Sequence, residues 1–177
     1  MRRYNKYNHD MIMKKILFVL LLSVCVTAMA QRQKVSVGRD GEIIVNGEVV
    51  AYIEKEGCKV LSNNCMFTIT DENDGLLITV TQQSFTDKER TTPEFPNGTP
   101  TAYLVFSFRG YDEVAEVASP FSPKEESIAK QVARWRLIKD KQLDSEAVRQ
   151  FVAANGTRFS EKERLQNQPP AIQIITR

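Results

Sequence analysis

The stretch Asp40-Gly41-Glu42-Ile43-Ile44-Val45-Asn46-Gly47-Glu48-Val49-Val50-Ala51-Tyr52-Ile53 sets two turn dipeptides, Asp40-Gly41 and Asn46-Gly47, beside two short apolar-rich runs. Asn-Gly supplies the positive φ angles that a two-residue type I′ turn requires, and such a turn matches the right-handed twist of the strands it joins. Residues 42–45 and 48–54 therefore read as a β-hairpin. Upstream, Val35 and Val37 alternate with polar residues and add one more strand before Asp40-Gly41. Downstream, residues 65–70 place Phe67 and Ile69 on one face, Asp71–Gly75 is a turn, and residues 76–82 set Leu76, Ile78 and Val80 against Leu77, Thr79 and Thr81. Residues 101–108 are the most apolar run. Leu104, Phe106 and Phe108 lie on one side and Tyr103 and Val105 on the other, which predicts a strand buried on both faces and hence central. Residues 112–118 add a last strand. Connections this short imply an antiparallel meander of about six or seven strands.

Between Gln83 and Pro100 the alternation stops. Pro93, Pro96, Pro100 and Asn97-Gly98 predict a long loop, since proline removes ladder donors and fixes φ. A loop of this length inside a compact domain is either functional or disordered. Phe85 and Phe95 either pin this loop to the body or are offered to a partner; the cost of leaving aromatics exposed favours pinning.

The periodicity changes at Ser122. Ser122-Pro123-Lys124-Glu125 fits a capping box with proline at the first helical position. Ile128, Val132, Trp135 and Ile138 then recur at helical spacing. A second helix is predicted to start at Asp144, stapled by Leu143 and Val148, to bury Val148, Phe151 and Val152, and to stop at Asn155-Gly156. Ser160–Glu163 predicts one further short turn before Pro169-Pro170, and the β-branched tail 171–176 is suited to an edge strand or to pairing with another molecule. Strands followed by helices is the α+β order, here a meander with two C-terminal helices packed on the sheet.

The amino-terminal region reads as an export signal. Lys14 and Lys15 precede an apolar run over residues 16–26, and Ala28-Met29-Ala30 is a small-residue cleavage pattern before Gln31. Eleven residues are too few for a membrane-spanning helix, which needs about 20. Cleavage between Ala30 and Gln31 leaves residues 31–177 as a single domain with no transmembrane anchor. The whole chain of 177 residues has a formal charge of +2, but five of its 24 basic residues and one of its 22 acidic residues precede Gln31, so residues 31–177 carry −2. This balance argues against nucleic-acid binding.

Export also sets the reading of the cysteines. Cys58 and Cys65 remain as an even pair in an oxidising compartment, without the two-residue gap of a redox motif or a histidine to complete a zinc site. A structural disulfide is expected, worth about 2.5 kcal/mol in the chain-entropy picture.

The chain's one histidine, His9, lies in the leader. Ser-His-Asp, Cys-His and histidine–metal chemistries are therefore closed to residues 31–177. Ser127-Ile128-Ala129-Lys130 matches S-x-x-K, but the companion K-T-G and S-D-N elements are missing. Asp71-Glu72-Asn73-Asp74-Gly75 resembles the opening of a calcium loop with its glycine one position early and no closing glutamate, and a hairpin turn explains it better. Lys130, Arg134, Arg136, Lys139 and Lys141 read as a solvated face. No catalytic, cofactor-binding or metal-binding residue is expected.

The leader MKKILFVLLLSVCVTAMAQ and the hairpin DGEIIVNGEVVAYIEKEG resemble small exported proteins of unknown function of the Bacteroidetes type. The resemblance covers the leader and about a third of the remaining chain. It implies a Gram-negative envelope setting, periplasmic or secreted. The expected function is a non-enzymatic module that binds an unidentified protein or envelope partner through the 83–100 loop or the tail. The alternative is a carrier of a small hydrophobic ligand, or a histidine-independent enzyme, with a pocket between sheet and helices lined by Phe67, Phe106 and Trp135.

Overall fold

A computed structural model describes residues 33–57 and 65–168, and the chain divides into two units, Met1–Gln33 and Lys34–Arg177. The second unit carries the fold. Ala30, Gln31, Cys58 and the tail 171–176 lie outside the described residues, so the cleavage site and the cysteine pairing do too.

Seven strands form one antiparallel sheet in strict sequence order: β1 (Val35–Val37), β2 (Glu42–Val45), β3 (Glu48–Glu56), β4 (Met66–Thr70), β5 (Leu76–Asp87), β6 (Thr99–Phe108) and β7 (Val114–Ser119). Asn46 at φ 54° and Gly47 at φ 94° make the turn between β2 and β3, as that dipeptide requires. Helices α1 (Glu125–Arg134), α2 (Ser145–Asn155) and α3 (Arg158–Gln166) follow, with a two-stranded hairpin, β8 (Ile138–Lys139) and β9 (Gln142–Leu143), between α1 and α2. The α+β meander predicted from sequence is the observed fold.

One face of the sheet holds the core. Cross-strand partners share a face, and the rows Ile53–Ile69–Ile78–Phe108 and Phe67–Val80–Phe106–Ala115 run across neighbouring strands. All eight residues of these rows are buried. Helix α1 closes this face over β1 and β3 with Ile128, Ala129 and Val132, and α2 closes it beside β7 with Val148 and Phe151. Phe151 is the hub: its ring meets Phe106 at 5.2 Å, Trp135 at 5.4 Å and Phe108 at 5.9 Å, all edge-to-face. The segment from β7 to α1 crosses this face, accepting hydrogen bonds from Gln82 at Phe121 O (2.9 Å) and from Lys55 at Pro123 O (3.5 Å).

The second helix has the cap expected of it. The Asp144 carboxylate accepts from Glu146 N and Ala147 N at 3.0 Å, Val148 is fully buried beneath, and Gly156 at φ 54° ends the helix. The first helix departs from expectation at both ends. It starts at Glu125 with Lys124 as an uncapped N-cap, not at the Ser122 capping box, because Pro123 still belongs to the crossover that Lys55 holds. It stops at Trp135, since Arg136 at φ 52° turns the chain into β8, and Ile138 reaches the core from a strand instead of a fourth helical turn.

Two further differences concern β5 and β6. Both strands run into the expected loop: Thr86 pairs with Pro100 and Asp87 with Thr99, so only residues 88–98 remain as loop. And β6 is sixth of seven strands, not central. Its core side is buried from Ala102 to Phe108, but on the reverse side only Tyr103 is buried, where α3 wraps round the sheet edge; Val105 is half-buried and Ser107 exposed.

That wrapping is legible in the bonds. Glu116 N of β7 donates to Gly156 O (2.8 Å), so the chain passes the edge strand at the α2–α3 junction. On the reverse face the Glu116 carboxylate, whose residue is 2% exposed, accepts from Phe159 N (2.6 Å) and Ser160 N (3.0 Å). Helix α3 has no side-chain cap of its own, and a β-strand supplies one. The Phe159 ring stacks on Tyr103 (5.1 Å), which in turn meets Phe85 edge-on (6.1 Å). Near the other end of α3, Asp87, 3% exposed, accepts from Lys162 (2.9 Å) and Gln166 (3.0 Å).

Candidate functional site

The loop between β5 and β6 is short, internally bonded and anchored at its root. Thr92 N and Phe95 N each donate to the other residue's carbonyl (3.2 and 3.0 Å), and Thr92 Oγ1 accepts a second bond from Phe95 N (3.1 Å). Gly98 N donates to Phe95 O (3.2 Å), and Thr99 Oγ1 donates to Arg90 O (2.6 Å). Gly98 is required where it stands. It has φ 121°, and a Cβ there would lie 2.8 Å from Thr86 Cγ2 and 2.9 Å from Asp87 O. The loop thus presents Phe95, 42% exposed, on a backbone already folded.

The two phenylalanines assigned to this segment part company. Phe85 is 8% exposed on β5, packed on Tyr103, and pins the sheet's reverse face. Phe95 is the one offered outward. What separates them is the extra length of β5, which carries Phe85 into the sheet.

Asp87 stands at the loop root and bonds in two directions. Its Oδ1 accepts from Glu89 N within the loop (3.2 Å) and from Gln166 of α3, while Oδ2 accepts from Lys162. Burial pushes the Asp87 carboxyl up, but the hydrogen bonds from Lys162, Gln166 and Glu89 N outweigh it and hold the group below its ordinary 3.8. Lys162 also meets Glu89 at 2.9 Å, and its bonds to Asp87 and Glu89 raise its own titration. Lys88 adds bonds from its N and Nζ to Gln166 Oε1 (3.2 Å) and Gln166 O (3.3 Å). Beside this network the Tyr103 hydroxyl is pushed up to about 12 by burial, with Glu116 and Glu163 adding to the shift.

A second feature is an open groove of about 960 Å³ near the β1–β2 turn and the start of α1. Arg39, Lys55 and Lys124 line it together with Glu54, Asp74 and Glu125. It is a hollow of mixed charge. Phe67, Phe106 and Trp135, expected to line an apolar pocket between sheet and helices, instead belong to the packed core around Phe151; Phe67 and Phe106 are fully buried.

The remaining motifs take structural roles. Asp71 Oδ1 accepts from Asn73 N (2.8 Å) and Gly75 N (2.9 Å), so its carboxylate closes the β4–β5 turn, and the Gly75 and Asn73 bonds hold it below its usual range. Ser127 Oγ donates to Lys124 O (2.6 Å) while Lys130 pairs with Glu126 (2.7 Å), so the S-x-x-K residues face different partners. Lys141 of the basic stretch pairs with Glu72. Among the described residues no group of three or more His, Cys, Asp or Glu is placed to hold a metal ion, and no helix is long and apolar enough to cross a membrane.

Sequence reasoning missed Asp87, Glu116 and the whole of α3 as a docked element. The signal was faint: two apolar side chains, Phe159 and Leu165, in an otherwise polar nine-residue helix. Compared with protein-family models, curated proteins and solved structures, the chain matches no family, no curated protein and no solved structure.

Proposed function

We propose that this chain is an exported, non-enzymatic module of a Gram-negative envelope that binds a protein partner through the loop at residues 88–98. The observation that carries the reading is Phe95, a half-exposed aromatic on a loop that is already bonded into one conformation. Exposed aromatics on preformed backbone are what binding hot spots are made of, because little conformational entropy is lost on association. The leader over residues 11–30, the absence of histidine beyond His9, and the pairing of Cys58 with Cys65 belong to the same proposal. So does kinship with the small exported Bacteroidetes-type proteins that the leader and first hairpin resemble.

The test is a photo-reactive residue substituted at Phe95 in cells of a Gram-negative host, with the same group at the exposed Glu113 in the β6–β7 turn, away from both the loop and the groove, as control. A discrete adduct from position 95 alone is expected. Equal labelling from both positions, or none from either, defeats the reading.

The charged groove favours a second reading, a carrier whose ligand is polar. Arg39, Lys55 and Lys124 facing Glu54, Asp74 and Glu125 suit a zwitterion or a peptide segment better than a lipid.

A further inference from the structure

Helix α3 is held to the sheet differently from the other helices among the described residues, α1 and α2. None of its residues is buried, Leu165 is 56% exposed, and its aromatic anchor is the single Phe159–Tyr103 stack. The rest of its attachment is polar: Glu116 on two amides at its start, and Asp87, Lys88 and Glu89 on Lys162, Gln166 and Asn167 towards its end. Polar contacts of this kind are exchanged for water when they open, so the cost of lifting α3 rests chiefly on the aromatic surface around Tyr103 and is smaller than that of uncovering the Val148 and Phe151 core beneath α2. The α2–α3 junction supplies a hinge, with Gly156 at φ 54° and Thr157 making no cap.

We propose that α3 is a displaceable strap that controls the Phe95 loop. The link is Asp87. When α3 lifts, Asp87 loses Lys162 and Gln166 while Lys88 loses Gln166 and Asn167, and the loop root is left with its own Glu89 N and Arg90 N bonds, the Thr99 Oγ1 bond to Arg90 O and the Asp87–Thr99 strand pairing. The same movement uncovers Tyr103 and Phe85 on the reverse face. The strapped state therefore presents a Phe95 loop held at its root over a closed sheet, and the unstrapped state a loop that keeps its internal bonds but is loosened at Asp87 and Lys88, beside an open aromatic patch. This regulation rests on the loop being the partner-binding element, but the strap itself is tested without any partner.

Native-state hydrogen exchange across low denaturant concentrations, on the full chain, reads the opening directly. Amides of α3 are expected to exchange at least about tenfold faster than those of β4–β6, with weak denaturant dependence, and Phe95 and Gly98 are expected to follow the α3 isotherm. In Lys162→Ala/Gln166→Ala, protection of α3 and the loop should fall together by about tenfold while α1 and α2 amides hold; Lys162→Arg should restore part of it. Merging of the wild-type α3 amides into the global isotherm overturns the strap, whether or not the variant folds. An unchanged loop in a variant whose α3 has loosened overturns the control. Failure of the Phe95 cross-link, by contrast, removes the partner reading and leaves the exchange result standing.

Discussion

The two faces of β5 and β6 are covered by helices that obey different rules. On the core face α2 inserts Val148 and Phe151, both fully buried, among phenylalanines of the sheet and the indole of Trp135. On the reverse face α3 lays one half-exposed ring on Tyr103 and is otherwise tied by carboxylates, a lysine and glutamine. The strand pair accommodates both because its buried parity switches. Ile78, Val80 and Gln82 point to the core, whereas Phe85 and Asp87 point to α3. Adjacent helices of similar length can thus differ in whether they build the fold or ride on it.

The comparison breaks most visibly at its two phenylalanines. Phe151→Ala removes the hub of three ring contacts and is expected to destabilise the whole unit by about 3–5 kcal/mol, read as a fall in the global unfolding midpoint. Phe159→Ala removes one stack and is expected to cost about 1 kcal/mol, confined to protection of α3. Equal global losses from the two would mean that α3 is as much a part of the core as α2.

Acid sharpens the contrast. The Asp87 carboxyl is held below 3.8, so its contribution is complete above that value and is lost as pH falls through its lowered folded value. Lys162 is raised above 10.5, so its contribution is complete below that value and is lost only at still higher pH. Between these limits the contribution of the Asp87–Lys162 pair to α3 docking should be flat. The groups facing Asp87 are Lys162 from the helix and Glu89 from the loop, and no histidine lies among the described residues to add a step near neutrality. Amide chemical shifts of Glu89, Phe95 and Lys162 are therefore expected to hold from about pH 8 to about pH 5 and to move together below about pH 4. Asp87→Asn should abolish that movement. A transition near neutrality would require another group.

The cap of α2 is a smaller matter. Asp144→Ala strips two amides of their acceptor and is expected to cost about 1 kcal/mol of global stability, since α2, unlike α3, unfolds only with the core. Loss of α2 protection without a change in the global midpoint would erase the distinction between the helices.

Much of this arrangement is legible in the chain, and the illegible parts have physical causes. Asn46-Gly47, Asp144 and Gly156 announce their turns and caps because each conformation needs that residue type locally. Phe67, Ile78 and Phe106 announce the core face through strict alternation. The β5–β6 extension is hidden because the buried parity changes after Gln82, so Phe85 and Asp87 look out of phase with the strand they continue. Pro100 adds to the disguise. It is tolerated at the β6 end because β7 starts its pairing only at Ala102↔Ser119, so no ladder donor is needed there on that side. Ser122-Pro123-Lys124-Glu125 gives a false start because its pattern is local, whereas Pro123 is held by a lysine 68 positions earlier in the sequence. Helix α3 is hardest of all, since its cap and its ion pair come from strands and leave no periodicity behind.

The smallest expected effect bears most on function. Phe95 is 42% exposed, and the loop's own bonds run through backbone atoms and the Thr92 and Thr99 hydroxyls, none of which needs the ring. Phe95→Ser should therefore leave the unfolding midpoint within about 1 °C, as surface substitutions away from structural bonds do. If binding is what the ring is for, an adduct formed from a neighbouring photo-reactive position, such as Glu94, should vanish in the same variant. A side chain whose removal abolishes the adduct without lowering the midpoint is one that the fold does not use. A midpoint that falls by several degrees would instead place Phe95 with Phe85, as a second pin on the reverse side of the sheet.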